Sequence, residues 1–159
     1  IPDLLINTRP LTKKTLENPQ FFLPPVTSHY PCGTCTICTF TKPTKTLLLP
    51  DGTTRVQRTH TNCNTAMCVY LISCPCDKHY VGMTSRPVKI RIGEHRSTIR
   101  CGRSSTKLTN HYLELQHKPD DLYWTILETV KTESLLLLKE QRWVFRLGTD
   151  ESGLNDVIP

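Results

Sequence analysis

Three cysteines at two-residue gaps, Cys32, Cys35 and Cys38, are followed later in the chain by Cys63. Together they offer four thiolates, the number a closed tetrahedral zinc site requires, and gaps of this size let successive sulfurs converge in a tight knuckle. His60 is an alternative ligand. A second close pair, Cys74 and Cys76, is separated by a single residue, a gap at which an intrachain disulfide is strained. The 159 residues hold 8 cysteines and 6 histidines. Close pairing and histidine company point to metal thiolates in a reducing, intracellular compartment rather than to a secreted disulfide framework. Cys68 and Cys101 are left free, and His29 and His79 carry no assigned role.

Charge narrows the partners only a little. Twenty Lys and Arg face 14 Asp and Glu, a formal net charge of +6. Such a balance favours polyanions through counterion release, without separating DNA from RNA or an anionic membrane surface. No run approaches the ~18 apolar residues of a membrane span, so no membrane partner is expected, and the first residues lack a signal peptide's apolar core. The chain opens on Ile1 without methionine, which reads as an excised fragment or a processed product.

The elements that must position these residues can be read from periodicity and punctuation. Residues 1–31 carry Pro24-Pro25 and little periodicity, and read as an extended arm or linker. Residues 32–65 form a polar, Thr-rich, Cys-rich segment with a turn at Pro50-Asp51-Gly52 and a short strand over 53–57. It has too few apolar residues to fold without a metal staple. Residues 66–159 change character. Two apolar, β-prone runs over 66–73 and 79–83 are joined by Cys74-Pro75-Cys76-Asp77-Lys78, which suits a hairpin. Pro87 fits a helix's first turn, and Val88, Arg91, Ile92, His95 and Ile99 recur at helical spacing. A second helix is expected over 106–115, a strand over 122–130, and the strongest helix over 133–147, with Leu136, Leu137, Trp143, Val144 and Leu147 as its apolar face. Hairpin, helix, helix, strand, helix predicts a small α+β domain with a three-stranded sheet, without internal repeats.

Val69-Tyr70 in one strand, Tyr80-Val81-Gly82 in the next, Arg91 on the following helix, Glu140 on the last helix and Gly153-Leu154-Asn155 at the end resemble the GIY-YIG nuclease family in order. The wording YVGMTSRPVKIRIGEH, the Cys-Pro-Cys between the motifs and the upstream cysteines most resemble the endonuclease domain of Penelope-like retroelements. The resemblance covers about residues 32–156 and lies in the ordered set. The first motif departs from the family's at Cys68, where the family has glycine. A strand backbone needs no positive φ there, so a small side chain is tolerated.

What the resemblance implies is a central three-stranded antiparallel sheet flanked by helices, preceded by the zinc-stapled segment, and an endonuclease that hydrolyses a phosphodiester. Glu140 is a hard oxygen ligand suited to Mg²⁺ or Mn²⁺, and a single carboxylate fits a one-metal mechanism. Arg91 offers a planar fork to the scissile phosphate, with Arg86 as a second phosphate ligand. One of Tyr70 and Tyr80, with Tyr70 favoured, accepts the water's proton while the other orients water or phosphate. A phenol titrates near 10, so this role needs a nearby cation. His95, one turn after Arg91, relays protons or holds the phosphate. Asn155 fixes the last loop or donates to a phosphate oxygen. The same resemblance implies a second structural zinc on Cys74, Cys76, His111 and His117, the last lying just past a helix end.

Taken singly, Tyr70 reads as packing, and Arg91 and Glu140 as surface charges or a salt bridge to each other. Together in that order they carry the resemblance, which implies nicking of DNA for retroelement integration, in the nucleus. The partners are then DNA, the reverse-transcriptase portion of the same polyprotein and its template RNA. The competing reading is a zinc-stabilised nucleic-acid-binding module whose nuclease site is inactive. Two zinc ions are expected per chain, both coordinatively closed and therefore structural.

Overall fold

The computed structural model describes residues 29–41 and 44–157. Residues 1–28, most of the expected arm, lie outside the described residues. At the arm's end, β1 (His29–Tyr30) pairs in parallel with β4 (Thr61–Asn62), and His29 is fully buried. Between them β2 (Thr46–Leu48) and β3 (Thr54–Val56) form an antiparallel ribbon around the expected turn. These short strands belong to the Cys-rich segment and could not stand alone.

The central sheet has the order β6-β5-β7, with β5 (Cys68–Ser73) between β6 (His79–Thr84) and β7 (Tyr123–Thr129), antiparallel to both. This is the α+β class read from the sequence. Strand β5 starts two residues later than expected, because Met67 adopts a left-handed φ of 51° that ends the extended run. From Cys68 to Ile72 every residue is buried, as a central strand covered on both faces demands.

Alternation along β5 divides the core into two layers. Cys68, Tyr70 and Ile72 pack with Val88, Ile92 and Ile99 of α1 (Val88–Arg100) and with Leu108 and Tyr112 of α2 (Lys107–Glu114). Val69 and Leu71 pack with Leu47, Leu49 and Val81, and with Trp143 and Val144 of α3 (Glu133–Leu147). Leu137 departs from expectation: it is 51% exposed, and Leu136 alone of that pair faces inward. Pro87 sits just before α1, at its N-cap with ψ of 128°, rather than inside its first turn. Gly148 ends α3 in the left-handed region with φ of 59°. Among the described residues no helix is long and apolar enough to cross a membrane.

Helix α1 is seated by the Cys-rich segment. Its first amides, on Val88 and Lys89, would be unpaired at a bare helix start, and they donate to the carbonyls of Thr65 and Cys63 at 2.8 and 3.0 Å. Further along, the buried Arg96 stacks its guanidinium over Phe40 at 3.7 Å and bonds Asp120 and the Pro119 carbonyl. Arg96 therefore ties α1 to segments beside both cysteine groups.

Candidate active site and metal centres

Tyr70 and Tyr80 stand on the same face of neighbouring strands because Tyr70 lies opposite Gly82 and Tyr80 two residues before it. Their ring centroids are 6.5 Å apart. His95, from α1, completes a three-ring cluster at 6.0 Å from Tyr70 and 5.5 Å from Tyr80. The Tyr70 hydroxyl and His95 Nε2 share a hydrogen bond of 2.9 Å. Gly82 is the space that makes this possible. A Cβ there would collide with the Tyr70 hydroxyl oxygen and lie 2.8 Å from the Tyr80 ring.

Burial dominates the electrostatics. It raises both phenols above their ordinary value; the neighbouring Tyr80 adds to the rise at Tyr70, and Glu140 adds to it at Tyr80, while Arg91 opposes both. Burial and then Arg91 pull the His95 imidazole down to about 4, so it is neutral at neutral pH. Burial raises the Glu140 carboxyl, against the pull of Arg91 and the Met83 backbone N–H. Arg91 thus acts on Tyr70, Tyr80, His95 and Glu140 together, so the five residues share one place. Tyr70 is fully buried, with its hydroxyl turned to His95, whereas Tyr80 is half-buried.

Arg86 and Arg91 line one cavity of about 270 Å³ with Met83, Glu133, Leu136 and Leu137, where the end of β6 meets the starts of α1 and α3. Glu140 lies one helical turn beyond Leu136. No ion pair joins Arg91 to Glu140 among the described residues. Arg91 instead pairs with Glu94 at 3.1 Å, and Arg86 reaches the other oxygen of the same carboxylate at 2.7 Å. Sequence reasoning missed Glu94, although an acid three residues after an arginine on a helix is a recognisable pair. Asn155 is nearly buried and grips the Val81 backbone, accepting from its N–H and donating to its carbonyl, both at 2.8 Å. That grip ties the last loop to β6, one of the two roles left open for Asn155.

The eight expected zinc ligands form two groups. Sulfurs of Cys32, Cys35, Cys38 and Cys63 lie within 4.8 Å of one another, as do the ligand atoms of Cys74, Cys76, His111 and His117. Cys38 is 3.3, 3.3 and 3.4 Å from Cys32, Cys35 and Cys63. Those gaps exceed a disulfide's bond of about 2.05 Å and approach the ~3.8 Å edge of a thiolate tetrahedron around zinc. The Thr34 hydroxyl, before its backbone N–H and the other thiols, draws the Cys32 thiol down to about 5, while burial drives Cys63 up. A shared cation resolves that conflict by holding all four as thiolates.

In the second group His111 Nε2 lies 3.4 Å from Cys74 and 3.1 Å from Cys76. His117 follows the end of α2, as expected, and its buried Nε2 has no hydrogen-bond partner. An orphaned imidazole nitrogen beside two thiols and a second imidazole fits a tetrahedral metal. Both groups therefore suit zinc by donor chemistry and spacing. His60 is exposed, stacks beside Tyr30 and stands outside the first group.

The chain matches no family model and no curated protein. Among solved structures it is similar to the catalytic domain of homing endonuclease I-TevI, at 22% identity and a TM-score of 0.49, over 56% of this chain and 96% of that one. A mutant of the catalytic domain of intron endonuclease I-TevI gives 23% identity and 0.48, over 55% and 89%.

Proposed function

We propose that this chain is a metal-dependent DNA endonuclease of the GIY-YIG type that nicks a phosphodiester, with zinc in both cysteine groups as scaffold. The observation that carries this reading is the convergence of Tyr70, Tyr80, His95 and Glu140 around Arg91, beside a cavity walled by two arginines. Packing alone gives no reason to gather two phenols, a neutral imidazole, a guanidinium and a part-buried carboxylate.

Hydrolysis forms a bond from a water oxygen to phosphorus and breaks one ester bond, so the water's proton needs an acceptor. Neither phenol is an effective base once burial has raised it. The Tyr70–His95 hydrogen bond offers a relay: Tyr70 takes the water's proton at its oxygen as it passes its own to neutral His95 Nε2, where the negative charge of the entering phosphate would offset burial and help the imidazole hold it. Half-buried Tyr80 orients the water or the phosphate. Arg91 and Arg86 grip the phosphate oxygens with planar donors. Glu140 would hold Mg²⁺ or Mn²⁺, an ion that neutralises charge on the phosphate and aids the departing oxygen when bound.

On the sequence resemblance, the cleavage serves integration of a retroelement in the nucleus, beside the reverse-transcriptase portion of the same polyprotein and its template RNA. The test is supercoiled plasmid incubated with Mg²⁺ or Mn²⁺. Glu140→Ala and Arg91→Ala should each slow nicking by about 10²-fold or more. Equal nicking by wild type and both variants would overturn the site. Binding without nicking by the zinc-loaded wild type would favour the inactive binding module.

A further inference from the structure

Glu94 belongs to no step of that chemistry, yet its carboxylate is divided between the two arginines of the cavity. Oε1 accepts from Arg86 Nη2 at 2.7 Å and Oε2 from Arg91 Nη1 at 3.1 Å. Arg91 is a helical neighbour of Glu94, so that pair alone would be ordinary helix-surface chemistry. Arg86 is not. It comes from the turn before α1, where the Thr84 hydroxyl accepts from the Arg86 N–H and donates to its carbonyl, each at 3.1 Å. That turn presents Arg86 to the same carboxylate. Two guanidiniums thus meet on a pair of anionic oxygens, the arrangement by which they would hold the two free oxygens of a phosphodiester.

We propose that Glu94 is the resting occupant of the Arg86–Arg91 pair and that a DNA backbone phosphate exchanges with it on binding. Glu94 is then an affinity-setting residue: only an anion able to engage both guanidiniums replaces it well, and loosely held polyanions are disfavoured. All three side chains are between 39% and 54% exposed, so the resting pairs are weak enough to open. The carboxyl is held below its ordinary value by Arg86 and Arg91 against the effect of burial, so it competes as an anion. The proposal rests on the reading of this cavity as a phosphodiester site, but not on turnover.

The test is binding of a labelled duplex to zinc-loaded protein, with no Mg²⁺ or Mn²⁺ added, across a salt series. Glu94→Gln keeps the shape and removes the competing charge. It should tighten binding about fivefold and steepen the salt dependence by about one counterion. Glu133→Gln, which removes an equal charge from the same cavity wall, should give a clearly smaller gain. In an Arg86→Ala, Arg91→Ala background the gain from Glu94→Gln should vanish. Equal gains at Glu94 and Glu133, a gain that survives loss of both arginines, weaker binding by Glu94→Gln, or no duplex binding by either protein would each overturn the exchange. Failure of wild type to nick plasmid, with the binding pattern intact, would remove the nuclease reading and leave the exchange standing.

Discussion

The two cysteine groups and the tyrosine cluster are built from similar parts and arranged oppositely. In each cysteine group four ligand atoms lie within 4.8 Å of one another, as many as a tetrahedral ion takes. In the tyrosine cluster Tyr70 and His95 satisfy each other inside, Tyr80 stays half-buried, and Arg86 and Arg91 border a cavity. A saturated constellation can hold a chain in place but has no open position for chemistry. An unsaturated one can react, but something else must hold it. The contacts of α1 with Cys63, Thr65, Phe40 and Asp120 are where the first kind supports the second.

The strongest way to break that comparison is to empty the cysteine groups. A chelator strong enough to strip zinc should remove stability on the order of 10 kcal/mol, the scale of structural zinc in small domains. Cooperative unfolding and nicking should then vanish together, and Mg²⁺ alone should restore neither. Metal analysis should find about two zinc per chain beforehand. Persistence of a cooperative melt after complete stripping would show that the groups hold nothing.

Acid gives the next largest effect. His29 and His95 are each depressed to about 4, chiefly by burial, from an ordinary value of 6.5. The unfolded chain therefore binds more protons than the native one between those values, and native stability falls as pH drops from about 6.5 to 4. Above that window the stability is complete, and below it these two groups cost nothing further. Each is worth roughly 3 kcal/mol across the window. Because thiolate ligands also take up protons in acid, the diagnostic comparison is His29→Gln, whose denaturation midpoint should fall less steeply with pH than that of wild type.

Much of this was legible beforehand, and the reasons differ by element. The hairpin, α1 and α3 follow from long, strongly periodic runs. The Cys32, Cys35 and Cys38 spacing fixes its own knuckle. Glu94 and His29 were not legible, because their roles depend on partners brought together by tertiary structure: Arg86 from a turn, Trp124 and Thr61 from distant strands. Leu137 was misplaced because four successive leucines leave a helix's inward face ambiguous by one residue. The ambiguity resolves once Leu136 is seen to pack inward beside the cavity.

Gly82→Ala probes the interior of the reactive cluster. Its Cβ would meet both tyrosines inside contact distance, and the nearest atoms belong to fully buried Tyr70. Overpacking of this kind costs about 1–3 kcal/mol. The tyrosines must move, so nicking should fall by far more than the change in melting temperature implies. A fully active Gly82→Ala protein would show that the phenols need no fixed geometry.

Tyr70→Phe makes the smallest structural change and the sharpest functional one. It keeps the ring in the core layer and deletes only the hydroxyl bonded to His95. The stability loss should be about 1 kcal/mol, since one buried hydrogen bond is lost and His95 is left unpaired at Nε2. If that hydroxyl passes the water's proton to His95, nicking should drop by about 10²-fold or more while duplex binding is unchanged. Were the hydroxyl merely a packing partner, the rate would follow the small stability change. Tyr80→Phe separates the phenols further. Tyr80 orients rather than transfers a proton, so its loss should be milder and should fall partly on substrate affinity, a division that inverts if the half-buried phenol is the base.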